Sequence, residues 1–267
     1  MKKLLLLILV IPLALVSCKK DDDDDLVLPT PYDQINVAQK QEAFVLLSTA
    51  TWCGYCGEWG IPAFEGAFSG SNGVDSTRVN GVALHYSSSD PMYNSLSATI
   101  KTAMGIGGPP NLWIEFDNSY NLSPSGWSNA IKTRQNQTAP ACGVGLYSKY
   151  SGGKYTIYVK VKYFSSMSGT YNLALYAFQN GVVNGQDINN VGTDPAYIHN
   201  RVLRAEVTNG STWGTQLFSG TSPTADFTAT YSYTPPTSIQ STNIHFVAVI
   251  YEMNSGSPVA TINSNSY

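Results

Sequence analysis

The chain has 267 residues, of which 43% are hydrophobic and 12% charged, with a formal net charge of -3 and four cysteines. This length suits one large domain or two ordinary ones. A charged fraction near half the usual value of about 25%, without a basic excess, excludes the electrostatic footprint of nucleic-acid binding and favours an extracytoplasmic protein.

The N-terminus has the pattern of a secretory signal. Lys2 and Lys3 precede an unbroken apolar run over residues 4–16, which is too short to span a bilayer comfortably. The next residues complete the sequence Leu-Val-Ser-Cys, which ends at Cys18 and resembles a bacterial lipobox. This resemblance implies that residues 1–17 are a signal peptide and that the Cys18 thiol is acylated.

Residues 18–32 are expected to form a lipidated acidic tether. The five consecutive aspartates at 21–25 repel one another and cannot form a core. The acidic run also resembles the surface-export signal of lipoproteins from Bacteroidota. It implies an outer-membrane lipoprotein displayed on the cell surface, and an anchor that faces the periplasm is the alternative.

The pattern of residues 33–138 predicts alternating strands and helices. Apolar runs and turn signals give the order strand, helix, strand, helix, strand, strand, helix. Strands are expected at 43–49, 79–87 and 111–116 and near Tyr120. Helices are expected from Cys53 and Cys56 to about residue 68, at 92–104 and at 125–134. Pro62 should bend the first helix, because proline lacks the N–H that a helix interior requires.

Residues 139–267 predict an all-β domain. Alternation of period two is clear at 155–163, 171–177 and 227–233, and residues 244–251 are apolar on both faces, as in a central strand. Seven or eight strands separated by Gly, Pro, Asn and Ser turns favour a β-sandwich of the immunoglobulin-like or jelly-roll type. The polar stretch 184–200 matches no calcium motif and is interpreted as a surface loop.

Cys53 and Cys56 form a Cys-x-x-Cys motif directly after the first predicted strand, at the start of a helix. In this context the motif indicates redox chemistry. The unpaired N–H groups and the dipole of the helix stabilise a thiolate and lower its pKa. Cys53 is therefore the candidate attacking thiol, and Cys56, one turn further on, is the candidate resolving thiol.

The sequences Trp-Cys-Gly-Tyr-Cys, ending at Cys56, and Gly-Pro-Pro-Asn, containing Pro110, resemble those of the thioredoxin-like family over about residues 35–137. The resemblance implies a minimal βαβαββα domain in which Pro110 is a cis-proline that shapes the edge for a bound polypeptide. The chain departs from the family at Leu47, where thioredoxins carry a buried Asp, and at Pro109, whose missing N–H removes a substrate contact.

Other interpretations of the cysteine pair remain open. An inert disulfide on a binding scaffold fits an oxidising compartment. A zinc site needs two further ligands, whereas Cys142 and the three histidines, His85, His199 and His245, are scattered singly, so no metal and no cofactor are expected. Cys142 is interpreted as a buried apolar residue, with a regulatory or intermolecular disulfide as the alternative, and His85 as a packed residue.

The stretch 199–204 carries two arginines in a charge-poor region, which indicates a cross-strand or domain-interface ion pair, or a site for a carboxylate or glycan. With the lipobox, the cysteine pair and the predicted sandwich, it makes the chain resemble the twenty-eight-kilodalton outer-membrane lipoprotein family of Bacteroidota. We therefore expect thiol-disulfide exchange on protein substrates, with the sandwich positioning the first domain or binding a second protein or a glycan. The alternative is a non-catalytic surface binding or adhesion module with a structural Cys53–Cys56 disulfide.

Overall fold

The computed structural model describes residues 30–116 and 124–267. The predicted signal peptide, Cys18, nearly all of the acidic tether and the strand expected near Tyr120 lie outside these residues. Within the described part of the chain the architecture is mixed α/β, with a second half rich in β-strands.

The first half alternates strands and helices as its apolar runs predicted. Its elements are β1 (Ala43–Thr49), a π-helical turn (Cys56–Gly60), α1 (Ile61–Phe68), β2 (Val79–His85), α2 (Ser95–Ala103), β3 (Asn111–Ile114) and α3 (Pro124–Gln135). Short 3-10 turns lie at Pro31–Gln34, Ser71–Gly73, Ser76–Arg78 and Ser241–Asn243. β1 lies between β2, to which it is parallel, and β3, to which it is antiparallel.

Local sequence explains the bounds of these elements. β1 has the predicted bounds because its continuous apolar run is buried on both faces. α2 begins at Ser95, later than predicted, because the Asn94 side chain accepts a 3.0 Å hydrogen bond from the Ser97 amide and caps the helix. The bend expected at Pro62 takes the form of the π-helical turn that immediately precedes α1.

Successive residues of β1 point into two different cores. Val45 and Leu47 pack in a cluster with α1 and α3, which includes Phe64 and Trp127. Phe44 and Leu46 pack in a second cluster with α2 and with strands from the second half of the chain. β1 is therefore covered on one face by helices and on the other by residues of both halves.

The second half contains only strands and turns among its described residues. Its strands are β4 (Cys142–Ser151), β5 (Lys154–Tyr163), β6 (Ser168–Gln179), β7 (Val182–Val183), β8 (Gln186–Ile188), β9 (Gly192–Asp194), β10 (Ile198–His199), β11 (Val202–Glu206), β12 (Thr215–Thr221), β13 (Phe227–Tyr233), β14 (Ile244–Asn254) and β15 (Ser257–Ser266). The seven or eight strands expected were too few, because β7 to β10 are only two or three residues long, which is too short to show alternation.

Two sheets of the second half face each other across one core. β4, β5 and β13 form a three-stranded sheet, and β6 and β14 form the centre of a larger one. Ile157 and Val159 of β5 meet Leu175 of β6 and Phe246 of β14 in this core. The alternation predicted for 155–163 is confirmed, since the odd-numbered residues up to 161 are buried and the even-numbered ones are more exposed.

The larger sheet continues into the first half of the chain. Its strand order is β15-β14-β6-β11-β2-β1-β3, and β12 also pairs with β6. β11 joins β2 in parallel at Val202 and Ala83, and the Ala83 amide donates a 2.7 Å hydrogen bond to the carbonyl of Arg201. The boundary expected near 138–141 falls between α3 and β4, but it does not separate two independent sheets. The outer edge of β2 needs partners for its N–H and C=O groups, and β11 supplies them.

Candidate functional site

Cys53 and Cys56 are joined by a disulfide at the start of the π-helical turn. The Cys56 amide donates hydrogen bonds to the Cys53 carbonyl at 3.0 Å and to Cys53 Sγ at 3.1 Å. Cys53 is 7% exposed and Cys56 is fully buried, whereas the flanking Trp52 and Tyr55 are 46% and 56% exposed. The disulfide therefore lies beneath the surface between two exposed aromatic side chains.

Pro110 lies against the helical turn that Cys56 begins. The Pro109–Pro110 peptide bond is cis, and β3 starts at the next residue. A Cβ built on Gly60 would lie 2.4 Å from Cβ of Pro110, so only glycine allows this close approach. Pro110 therefore packs on the helical turn that begins at Cys56, which is joined to Cys53 by the disulfide.

A hairpin from the second half of the chain covers the segment that carries the disulfide. We call β8, β9 and the turn between them (residues 186–194) the β8–β9 hairpin. Gln186 is fully buried, and its Nε2 donates to the carbonyls of Ala50 at 3.3 Å and of Cys53 at 3.0 Å. The expected surface loop at 184–200 is thus wrong in part, because its central portion is a hairpin packed on the cysteine segment.

Backbone hydrogen bonds and two glycines fix this contact. The Asp187 amide donates to the Thr51 carbonyl at 2.7 Å, and the Asn189 amide donates to the Gly54 carbonyl at 3.0 Å. A Cβ on Gly57 would lie 2.4 Å from the Asp187 carbonyl oxygen. The glycine immediately after Cys56 therefore leaves room for the hairpin, a role that the sequence did not reveal because Asp187 lies far along the chain.

Asp90 fixes the backbone at Thr51, two residues before Cys53. Its carboxylate accepts 2.8 Å hydrogen bonds from the amides of Thr51 and Met92, and Oδ2 lies 3.0 Å from Nδ1 of the buried His85. Burial by itself raises the pKa of Asp90, but the hydrogen bond and charge of His85 and the two amides outweigh it, so the pKa lies below its ordinary value. His85 is therefore packed, as expected, and paired with a residue that the sequence did not single out.

His199 lies beside this pair. Its ring centroid is 5.5 Å from that of His85 and 5.1 Å from that of Tyr197. Burial, and then the charge of His85, lower the pKa of His199 to about 4, although the nearby backbone of residues 184 and 185 acts in the opposite sense. Neither ring nitrogen makes a hydrogen bond of good geometry, so His199 is a neutral packing residue.

The two arginines of the stretch 199–204 lie where β11 meets the first half of the chain. The Arg201 guanidinium carbon lies 3.4 Å from the ring centroid of Phe68 in α1, and burial lowers the pKa of Arg201 to about 10. Arg204 donates to the side-chain oxygen of Gln179 from Nε at 3.0 Å and from Nη2 at 2.7 Å. Arg201 therefore joins the two halves by stacking on Phe68 and by its charge interaction with Glu65 of α1, whereas Arg204 hydrogen-bonds within the second half.

Cys142 is a free thiol at the first position of β4. It is fully buried in the core between the facing sheets, and burial raises its pKa to about 12. This placement agrees with the expected buried apolar residue. No cluster of three or more His, Cys, Asp or Glu side chains within residues 30–116 and 124–267 is arranged to hold a metal ion.

Comparison with known proteins identifies the family. The family model described as outer membrane protein Omp28 matches residues 98–266, more than half of the chain. The chain belongs to the Omp28 family. The sequence prediction of this family and of an outer-membrane lipoprotein is thereby confirmed, and the matched part of the chain includes Pro110 and the β8–β9 hairpin but not the cysteine pair.

A crystal structure of a domain of the outer membrane lipoprotein Omp28 from Porphyromonas gingivalis is similar at 16% sequence identity. The match covers 48% of this chain and 86% of that chain, with a TM-score of 0.31. A search of the curated proteins finds no match. Among the described residues, no helix is both long enough and apolar enough to cross a membrane.

Proposed function

We propose that this Omp28-family protein exchanges thiols and disulfides with protein substrates through a thioredoxin-like first half. The observation that carries the proposal is the Cys53–Cys56 disulfide, placed directly after β1 at the start of a helical turn whose last residue, Gly60, packs against Pro110. The order of strands and helices, with β1 between a parallel and an antiparallel neighbour, supports a thioredoxin-like domain.

Exchange starts from the oxidised form. A substrate thiolate attacks Cys53 Sγ, a new S–S bond forms between them, and the electron pair of the broken bond leaves on Cys56 Sγ. A second substrate thiolate attacks the substrate sulfur of this mixed disulfide, which yields the substrate disulfide and the Cys53 thiolate. The reverse sequence, in which Cys53 attacks and Cys56 resolves, reduces a substrate disulfide.

The local geometry favours Cys53 as the leaving and attacking thiolate. The Cys56 amide at the start of the helical turn donates to Cys53 Sγ at 3.1 Å, and such a donor stabilises a thiolate there. Cys56 is fully buried and lies one turn deeper, as suits a resolving thiol that meets no solvent. Pro110 shapes the adjacent edge along which a polypeptide would bind.

The test is the reactivity of the pair. We expect Cys53→Ser to abolish insulin reduction and reactivation of scrambled ribonuclease, and Cys56→Ser to accumulate mixed disulfides with substrates, because the resolving step is lost. Cys142→Ser is the matched control, since that thiol is buried in the β-rich half. Equal activity of Cys53→Ser and the wild-type protein would refute exchange.

A second candidate function is a surface binding or adhesion module with a structural disulfide. The specific observation in its favour is that Cys53 is only 7% exposed beneath the β8–β9 hairpin. In this case the pair resists reduction, the Cys53 thiol of the reduced protein has an ordinary pKa, and Cys53→Ser binds its protein or glycan partner normally. The reduction potential of the pair separates the two functions.

The proposed location is the outer face of the outer membrane, with Cys18 as the acylated anchor and the acidic run as the export signal. Cys18→Ala should release the protein from the membrane fraction. Protease added to intact cells should digest the wild-type protein, and protection from the protease would instead indicate an anchor that faces the periplasm.

A further inference from the structure

The β8–β9 hairpin occupies the backbone of the segment on which substrate exchange would take place. Its donors take the carbonyls of Ala50, Thr51, Cys53 and Gly54, four of the five residues from 50 to 54. With these contacts made, Cys56 is fully buried and little of Cys53 is exposed. The rate of attack on a disulfide depends on access to its sulfur atoms, so this cover limits reactivity.

The hairpin is held by these contacts and by a 3.1 Å hydrogen bond from Asn189 Nδ2 to Glu58, and it pairs with no strand of the large sheet. β8 and β9 form a separate two-stranded sheet with three residues in each strand. Isolated two-stranded hairpins are marginally stable in water. At its tip, Asn190 has a positive φ of 59° and Val191 is 78% exposed. Because it is a separate sheet, movement of the hairpin away from the cysteine segment would break these contacts but no strand pairing of β1 or of the large sheet.

Opening would also create a binding edge. The carbonyls of Thr51 and Gly54 accept hydrogen bonds from backbone amides of the hairpin, at 2.7 and 3.0 Å. An extended polypeptide carries the same amides and can replace them, as in other cases where a peptide adds to exposed backbone. Trp52 and Tyr55 belong to the same segment, and their exposed rings offer apolar surface to such a partner.

We propose that the β8–β9 hairpin is a gate over the Cys53–Cys56 disulfide, which reacts with an extended polypeptide partner only when the hairpin has moved away. The inference rests on the proposed function for the identity of the partner, whereas the gate itself is a property of the disulfide and the hairpin. Reduction by a small thiol tests the gate without any assumption about the natural substrate.

The first experiment compares Gln186→Ala with the wild-type full-length chain, and uses Gln216→Ala, an exposed glutamine of β12, as the matched control. Reduction by 2-mercaptoethanol is followed by quenching and mass spectrometry of the peptide that contains Cys53 and Cys56. Two thiolates act in turn: the first forms a mixed disulfide with Cys53 and releases Cys56, and the second releases Cys53 with formation of the mercaptoethanol disulfide.

Gln186→Ala removes both side-chain hydrogen bonds to the cysteine segment, and we expect reduction to become about tenfold faster. Because a gate changes the forward and reverse rates by the same factor, reoxidation should accelerate equally and the reduction potential should stay the same. The control should match the wild-type rate. An unchanged reduction rate in Gln186→Ala, or faster reduction with a shifted potential, would overturn the gate.

Hydrogen exchange on the wild-type protein gives a second test that needs no variant. The amides of Asp187 and Asn189 should exchange through local opening, much faster than the amide of Val45 in β1. If they are protected as strongly as Val45, the hairpin opens only when the whole protein unfolds, and the proposal is wrong. If the small-thiol and exchange experiments support the gate but the disulfide reacts with no protein substrate, the proposed function is contradicted and the gate is not.

Discussion

The amide of Asp187 donates a 2.7 Å hydrogen bond to the carbonyl of Thr51, and this bond connects the second half of the chain to the segment that leads into Cys53. The Thr51 amide is held on its other side by Asp90 at 2.8 Å. Both backbone groups of the same residue are thus fixed by residues far away in the sequence. The position of the disulfide depends on contacts that the Cys-x-x-Cys motif does not contain.

Asp90→Asn should destabilise the protein by about 1–3 kcal/mol, because an amide nitrogen would replace an oxygen that accepts a hydrogen bond in a buried site. Urea unfolding at pH 7 measures this effect. Asp226→Asn, at an exposed position, is the matched control and should change stability by less than about 0.5 kcal/mol. Equal midpoints for the two variants would show that the Asp90 hydrogen bonds contribute little.

The stability of the wild-type protein relative to Asp90→Asn should also depend on pH in the acid range. The folded-state pKa of Asp90 lies below its ordinary value of 3.8, so its stabilising contribution is complete above pH 3.8 and is lost as the pH falls through the folded-state pKa. Wild-type stability should therefore decrease more steeply than that of Asp90→Asn below pH 3.8. Parallel stability curves in this range would contradict the assigned direction of the shift.

Glu42 should make the protein less stable as the pH rises towards neutrality. Burial, only partly offset by hydrogen bonds from Asn80 and Asn265, raises its pKa from 4.5 to about 7. Its contribution is therefore fully present below pH 4.5 and is lost as the pH rises through about 7. Glu42→Gln removes a carboxyl group that must ionise, and should flatten this dependence by an amount on the order of 2 kcal/mol between pH 5 and pH 8. Thermal unfolding across this range provides the measurement.

Gly60→Ala should destabilise the protein by about 1–3 kcal/mol, because its Cβ would lie 2.4 Å from Cβ of Pro110 and would force the helical turn away from β3. Gly66→Ala in α1 is the control: its Cβ would meet only the Ser71 side chain, at 3.3 Å. That change should be neutral or stabilising by up to about 1 kcal/mol, since alanine favours helix. The difference in unfolding free energy between the two variants tests the packing of Pro110.

Cys142 should remain unmodified by iodoacetamide at pH 8 in the folded protein. Its pKa of about 12 leaves almost no thiolate at that pH, and its side chain is fully buried. Alkylation should appear only in denaturant, in step with the loss of tertiary structure. Rapid labelling of the native protein would mean that the core between the facing sheets opens locally around β4.

Sequence patterns predicted the parts of this fold that depend on local order. The apolar run at 43–49 defines β1 because a strand buried on both faces needs no alternation, and the alternation at 155–163 gives the inward face of β5. The pairing of Ala83 with Val202 was not predictable in this way, because hydrophobic periodicity identifies strands but not their distant partners. The sequence therefore did not reveal that the largest sheet runs through both predicted domains.

The sequence likewise predicted only those residues of the candidate site that stand in local motifs. Cys53, Cys56 and Pro110 stand in recognisable motifs, and the structure places the cis-proline Pro110 against the helical turn that Cys56 begins. Gln186 and Asp187 gave no such signal, because isolated polar residues among Gly and Asn resemble any loop. Their role depends on a backbone contact with Thr51, and backbone donors and acceptors are the same for nearly every residue type.

The position of the β8–β9 hairpin along the chain determines the order in which the site is built. A growing or translocating chain presents its N-terminal part first, and Cys53 and Cys56 are only three residues apart. The hairpin begins at Gln186, so a chain exported from its N-terminus, as the predicted signal implies, would present both thiols to an oxidising compartment well before the residues that cover them. An oxidant there would meet the thiols while they are still open, and completion of the chain would then enclose a bond that had already formed.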